Sequence, residues 1–505
     1  MEFLLWFTLL FLTALIFFFF FPRTRKSKSY RLPPGPPGVP IFGNLFDLGP
    51  EPYKTIAGMK EKYGPIVWLR IGCINTMVIQ TAEVAGELFK NYDVSFAGRQ
   101  IAEVHRVHDF VSGSVALAQY GPYWRVLRRI CTVEMFTTKK INETAGVRRK
   151  CVDDMVAWVE KEARETTDHG KGIHVARFVF LASFNMVGNM ILSRDLVDPE
   201  SETAKEFFDA MMGIMELAGR PNVSDIFPWL KRFDLQGVKR EMERDLGKAM
   251  EIAAGFLRER MEEVKLGGEK KKQDFLNVLL EFRGSGKDEP SKLSQHQILI
   301  FILEMFFAGT ETSSSTVEWA MTELLRKSEA FAKAKAEISE VVGSTRKLEE
   351  SDIKNLPYLQ AVIKETLRLH PPVPLLVPRK GYEDIKFMGY DIPQGTQVYI
   401  NAWAIGRDPQ YWEDPLEFKP ERFLDSKIDF KGQHFELIPF GSGRRVCVGL
   451  SLGNRMAHFV LGSLLREFDW ELDHAIDPKN MDMRERMGST VRKLQPLQAI
   501  PKRKC

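Results

Sequence analysis

Apolar and polar positions divide this chain into stretches of different kinds. From Phe3 to Phe21 every residue is apolar except Thr8 and Thr13. As a helix this run would reach about 28 Å, close to the ~30 Å hydrocarbon thickness of a bilayer. Residues 1–22 therefore read as a spanning anchor; a basic leader and a small-residue cleavage site, the marks of a removed signal peptide, are missing. Residues 23–40 hold a basic cluster and then Leu32-Pro33-Pro34-Gly35-Pro36-Pro37-Gly38-Val39-Pro40, whose prolines fix φ and favour a semi-rigid extended arm. Ile66-Val67-Trp68-Leu69-Arg70-Ile71 and Thr76-Met77-Val78-Ile79-Gln80 are rich in β-branched residues and predict short strands. Helix formers dominate between Thr138 and Lys265, with breaks at Pro199 and at Gly219-Arg220-Pro221. Leu266 to Lys272 and Arg283 to Pro290 are polar loops. No repeat and no domain break follow Pro40, so residues 41–505 are expected to form one large body, mainly α with a minor β-sheet (α+β).

Two later stretches combine helical spacing with unusual chemistry. Ser294-Gln295-His296-Gln297 has the form of a capping box and opens a long, largely apolar helix that continues toward Arg326. Near its middle stands Ala308-Gly309-Thr310-Glu311-Thr312. Gly309 leaves space, and the Thr312 hydroxyl can bond the Ala308 carbonyl, bending or opening the helix. A tolerated kink in a packing helix is the alternative reading at this point. Further on, Leu359, Val362, Ile363 and Leu367 form an apolar stripe ended by Pro371-Pro372. Glu365 and Arg368 lie one turn apart on that helix, by itself a surface pair contributing ~0.2–0.5 kcal/mol.

Charge and cysteine content sharpen this picture. The formal charge of +4 is carried by Arg23, Arg25, Lys26, Lys28 and Arg31 against Glu2, so the remaining chain is balanced and nucleic-acid binding has no support. Basic residues on the C-terminal side of the anchor put the body in the cytosol, which discounts the glycosylation acceptors at Asn142 and Asn222. Cys73, Cys131, Cys151, Cys447 and Cys505 show no paired spacing, arguing for a reducing compartment. Cys447 stands apart, inside Pro439-Phe440-Gly441-Ser442-Gly443-Arg444-Arg445-Val446-Cys447-Val448-Gly449. The glycines permit tight turns, and Arg444 and Arg445 provide an electropositive setting that would favour a thiolate. Cys447 is thus a candidate iron ligand, with a buried structural cysteine as the bland alternative.

Phe440-x-x-Gly443-x-Arg445-x-Cys447-x-Gly449 resembles the haem-binding signature of the cytochrome P-450 monooxygenases, with Val448 where many relatives carry proline. Ala308 to Thr312 is similar to the family's oxygen-activation motif, and Glu365-x-x-Arg368 with Pro420-Glu421-Arg422-Phe423 resembles its structural Glu, Arg and Arg network. The resemblance implies a cytochrome P-450 fold holding haem b. Cys447 would be its axial thiolate, Phe440, Gly441 and Gly449 would shape the loop beneath it, and Ala308 and Gly309 would lie against its other face. Thr312 and Glu311 would supply the protons that O–O cleavage needs. Trp124 and Arg128, spaced i, i+4, resemble the pair that reaches a haem propionate, and Arg379 and Arg445 fit the remaining propionate positions. Phe110, Val111, Leu303, Phe307, Val373, Leu375, Leu376 and Met487 are the residues that the family's pattern brings to the substrate pocket. Ile226-Phe227-Pro228-Trp229-Leu230 reads as core packing first; in membrane-bound relatives the equivalent region dips toward lipid.

Leu367-Arg368-Leu369-His370-Pro371-Pro372 and Asn401 to Pro409 look like a plant microsomal enzyme, most similar to the terpenoid-oxidising branch that includes monoterpenol hydroxylases and iridoid oxidases. This implies an enzyme on the cytosolic face of the endoplasmic reticulum that takes O2 and a small hydrophobic substrate. No nucleotide fingerprint is present, so electrons would come from NADPH through a cytochrome P-450 reductase, with cytochrome b5 as an alternative donor. A flavonoid or phenylpropanoid hydroxylase is the second reading. A haem-thiolate isomerase or dehydratase, or a non-enzymatic haem sensor, fits Thr312 and Glu311 less well.

Overall fold

The computed structural model describes residues 30–167, 172–197, 202–266, 274–284, 286, 289–343, 345–473 and 476–503, with residues 6 and 13 in isolation. The anchor and most of the basic cluster lie outside the described residues, as do Pro199 and most of the polar loop after Leu266. The helices that position the site are α1 (Ala82–Asn91), α2 (Pro122–Arg129), α3 (Val175–Leu192), α4 (Glu202–Ala218), α5 (Gln295–Arg326), α6 (Pro357–Leu369) and α7 (Leu450–Glu467). Further helices, Ala145–Thr167, Val238–Lys265 and Ser328–Val342, surround them.

The main sheet combines β1 (Ile66–Ile71), β2 (Ile74–Ile79), β3 (Gly98–Arg99), β4 (Arg379–Lys380) and β5 (Gln397–Ile400), in the order β1-β2-β5-β4-β3. Its second strand begins earlier than Thr76, because Gly72 turns the chain at φ +57° and lets Ile71 face Ile74 directly. Only β2 and β5 run parallel; β3 and β4 are antiparallel, with Arg99 opposite Arg379. A separate hairpin joins β6 (Glu485–Met487) and β7 (Val491–Lys493). The two-residue strand Ile173–His174, too short to leave a sequence pattern, pairs with Ala499 and Gln498.

Helix α5 is the central element and packs on α3, α6 and α7. Its capping box forms as expected: Gln297 N–H donates to Ser294 Oγ at 3.1 Å, and Ser294 N–H to Gln297 Oε1 at 2.9 Å. That arrangement satisfies two orphan donors and contributes about 1 kcal/mol. By length and composition α3 and α5 could each cross a membrane, yet 72% and 67% of their apolar windows are buried within the protein. They are core helices.

Behind α5, α6 carries the expected brace. Both Glu365 and Arg368 are essentially inaccessible. Arg368 donates through Nε and Nη2 to the two Glu365 oxygens at 2.7 and 2.8 Å, and Arg422 Nε reaches Glu365 at 3.0 Å. The remaining Arg368 donors meet the carbonyls of Gly406, Pro415 and Glu417.

Candidate haem and oxygen site

Gly441 and Gly443, both at φ +70°, reverse the chain so that Cys447 N–H reaches the Phe440 carbonyl at 3.0 Å. Position 443 excludes a side chain on a second count, since a Cβ would come within 2.6 Å of the Asp93 carboxylate. Phe440 rests on Phe430, with centroids 5.3 Å apart. Gly449 caps α7, so its own N–H and that of Leu450 favour a negative sulfur, and the Arg128 guanidinium adds to this. Burial outweighs these effects and pushes the thiol pKa up. The expectation that Arg444 and Arg445 acidify Cys447 is corrected accordingly. Arg444 is exposed beside Tyr120, and Arg445 is occupied by the Ala97 and Ala118 carbonyls. Arg128, whose Nη1 donates to Val446 O at 2.5 Å, is the cation nearest in effect. Cys447 is accessible as a residue while its thiol is desolvated.

On α5, Thr312 Oγ donates to the Ala308 carbonyl at 2.8 Å, as its spacing implies. The helix nonetheless stays α-helical without interruption from Gln295 to Arg326, so the motif does not open it. Gly309 acts differently from expectation: a Cβ there would meet Val187 of α3 at 3.1 Å, so its missing side chain permits close helix packing. Ala308 supplies the open surface, being exposed in an otherwise buried segment. Glu311, 1% exposed, accepts a hydrogen bond from Ser489 Oγ at 2.6 Å, and Arg492 Nε lies 3.1 Å from its other oxygen. Neither partner was visible in the sequence, because both arrive from the distant hairpin.

The arginines gather on the other side of the cysteine loop. Arg445 lies 4.4 Å above the Trp124 ring, and Trp124 Nε1 donates to Val115 O at 2.9 Å. Trp124 thus supports Arg445, with its N–H turned to the backbone. Arg379 donates to Asp93 at 2.7 Å and to Ser442 O at 3.1 Å. Beside them stands Arg99, which sequence reasoning missed; its guanidinium meets the Ala116 and Val377 carbonyls, both at 2.7 Å. Burial, with the charges of Arg445 and Arg379, pulls the Arg99 pKa well below the usual arginine value, and burial brings Arg445 down to about 10. Arg128 and Arg379 are lowered as well, again by burial first. Among the described residues, Arg379 is the one of these four that forms an ion pair, with Asp93. Glu304 organises the cradle from α5. It accepts the Val115 and Ala116 N–H groups at 2.6 and 3.1 Å, fixing carbonyls that Trp124, Arg445 and Arg99 use. An acid within Phe301 to Phe307 was the available signal for it.

The pocket candidates divide. Leu303, Phe307 and Phe110 belong to one apolar cluster, which Val448 of the cysteine loop also joins. Val111 and Val373 are half-buried and Met487 is 39% exposed. Leu376, at φ +53°, approaches Gly441 of the cysteine loop. Leu375 instead packs with Tyr53 and Val491, a core position.

The donor set suits an iron porphyrin. One sulfur sits on a fixed loop, a surplus of buried guanidinium matches two carboxylates, and Leu303 and Phe307 of α5 form an apolar wall with Phe110 next to the exposed Ala308. Comparison with known proteins agrees. The family profile described as Cytochrome P-450 matches residues 33–499. The chain is 63% identical to Cytochrome P-450 76A2 of Solanum melongena, covering 97% of each, and 51% identical to iridoid oxidase of Catharanthus roseus, covering 97% of this chain and 96% of the relative. A zebra fish cytochrome P-450 structure with progesterone superposes with a TM-score of 0.75 at 25% identity, covering 89% of this chain and 99% of that one. The cysteine loop, the cradle and the long helix therefore sit in a chain that belongs to the cytochrome P-450 family of haem-thiolate monooxygenases.

Proposed function

We propose that this enzyme hydroxylates or oxidises a small terpenoid, a monoterpenoid or iridoid, using electrons from NADPH delivered by a flavoprotein reductase. The observation that carries this reading is the 51% identity to iridoid oxidase over nearly the whole chain. The apolar wall of Phe110, Leu303 and Phe307 is compatible with it, since such surface accepts a hydrocarbon skeleton and rejects a charged ligand. When bound, haem supplies a thiolate-ligated iron that activates dioxygen. Cys447 would provide the sulfur, and Arg99, Arg128, Arg379 and Arg445 would hold the propionates. A hydroxyl both donates and accepts, so Thr312 can take a proton arriving by way of Glu311 and pass it onward.

The same reading anchors the enzyme through residues 1–22 in the endoplasmic reticulum membrane, with the body on the cytosolic face. A surface patch supports it. The Phe42 ring lies tilted against Phe46 and edge-on to Phe227, at 5.1 and 5.7 Å, Phe227 lies 5.3 Å from Trp229, and Phe46, Trp229, Phe233 and Leu235 are more than half exposed. Exposed aromatics beside the proline-rich arm suit a lipid interface.

The test is turnover in microsomes carrying the full chain and a reductase, offered monoterpenoid, iridoid and flavonoid panels, with products identified by mass. NADPH-dependent gain of one oxygen atom on a terpenoid is the expected result; turnover confined to the flavonoid panel overturns it. Separately, Cys447→Ser should abolish the red-shifted Soret band of the reduced carbonyl complex. Retention of that band would reassign the ligand.

A further inference from the structure

The acid on α5 is not free. Glu311 is 1% exposed, and the β6–β7 hairpin faces both of its oxygens: Ser489 Oγ donates to Oε2 at 2.6 Å, while Arg492 Nε forms an ion pair with Oε1 at 3.1 Å without the alignment of a hydrogen bond. Arg492 is about a third exposed along its side chain, at 31%. It therefore runs from solvent to a carboxylate that water does not otherwise reach. The hairpin is fastened at several further points. Val491 N–H donates to Pro372 O at 2.8 Å, and Ser315 Oγ of α5 donates to Val491 O at 2.8 Å. At its tip, the backbone of Gly488 and Ser489 lies so close to Gly219, just after α4, that a Cβ on Gly219 would approach within 2.0 Å of Ser489 N. Met487, which the family's pattern brings to the substrate pocket, is two residues from Ser489 and 39% exposed.

We propose that Ser489 and Arg492, both carried by the β6–β7 hairpin, are positioning residues for Glu311. This rests on Glu311 acting as the proton donor of the monooxygenase. Each turnover consumes O2, two electrons and two protons; one oxygen atom enters the substrate and the other leaves as water. A carboxylate that accepts from a hydroxyl on one oxygen and faces a guanidinium charge on the other is restricted in orientation. The Ser489 hydroxyl accepts as well as donates, so it gives Glu311 a route to exchange its proton without leaving its place.

The experiment compares Glu311→Gln, Arg492→Gln, Arg492→Lys, Ser489→Ala and the Glu311→Gln/Arg492→Gln double variant in the full holoenzyme. Four readouts are taken: product formed per NADPH, the substrate-induced spin shift, the solvent isotope effect on turnover, and hydrogen exchange of residues 485–493 in the resting enzyme. Arg492→Gln should lower product per NADPH at least threefold and raise the solvent isotope effect, with the spin-shift midpoint within twofold of wild type. Arg492→Lys should restore at least half of the lost product, and Ser489→Ala should show a smaller loss of the same kind. Glu311→Gln and Arg492→Gln should each speed exchange in the hairpin, because each breaks the same link, and the double variant should be no worse than Glu311→Gln alone. If Arg492→Gln matches wild type while Glu311→Gln does not, the positioning role is overturned and the donor role survives. If Glu311→Gln itself leaves product per NADPH unchanged, the donor role fails first. Losses that add in the double variant, or a spin-shift midpoint that falls in step with turnover, also overturn the proposal.

Discussion

Two buried arginine clusters flank this molecule's cysteine loop, and they are built on opposite principles. In the brace, Arg368 and Arg422 converge on Glu365, and the leftover donors meet backbone carbonyls at 2.6 to 3.4 Å. In the cradle, Arg99 and Arg379 face each other across a two-residue ladder, Arg445 and Arg128 stand nearby, and Asp93 pairs with Arg379 alone of the four. Like charges opposed across strands are destabilising by themselves. Burial, joined by repulsion from neighbouring arginines at Arg99 and Arg445, holds the cradle arginines below their usual pKa, and among the described residues Arg99, Arg128 and Arg445 form no ion pair that would neutralise them. The brace is complete without a ligand; the cradle is completed by an anion. A structural cluster and a binding site can thus be told apart by whether each guanidinium reaches a carboxylate within the protein, as Arg368 and Arg422 do and, among the described residues, Arg99, Arg128 and Arg445 do not.

The sharpest way to break this distinction is to delete from each side. Glu365→Gln or Arg368→Ala should cost about 3–5 kcal/mol, because each leaves a buried charge without its partner. Denaturant midpoints of the haem-free chain measure this, and an unchanged midpoint would remove the contrast. Asp93→Asn comes next, at about 2–3 kcal/mol, since it takes from the cradle the acid that binds Arg379 and the Arg444 N–H. Arg99→Gln or Arg445→Gln should behave in the opposite sense. Removing one of several crowded cations should leave the haem-free midpoint unchanged or raised by up to ~1 kcal/mol, while haem dissociation quickens about tenfold through loss of a charge-assisted bond. Transfer of haem to an apo-globin acceptor reads that rate. Equal destabilisation of the haem-free chain by Arg99→Gln and Arg368→Ala would show that both clusters are structural.

Much of the site was legible because its chemistry is local. The cysteine loop, the Ser294 cap, the Thr312 to Ala308 hydrogen bond and the Glu365 to Arg368 spacing each depend on residues a few positions apart, where backbone geometry fixes who meets whom. The readings that needed revision involve distant partners. Gly309 faces Val187, Leu375 faces Tyr53 and Val491, and the arginines next to Cys447 in sequence turn away from it while Arg128 approaches. Arg99, Asp93 and the Glu311 partners had no local pattern to announce them.

Sequence alone determined the kind of protein this is: a mainly helical body with a minor sheet, a cysteine presented by glycine turns, and a small-residue, hydroxyl-rich stretch within a long apolar helix. Those follow from short-range sterics and hydrogen bonding, which a string of residues encodes directly. Tertiary structure decided where charge accumulates. The register of β3 on β4 sets Arg99 against Arg379, and the seating of the β6–β7 hairpin on α5 gives Glu311 its partners. Electrostatic energy depends on separation and burial in space, and neither can be read from separation along the chain.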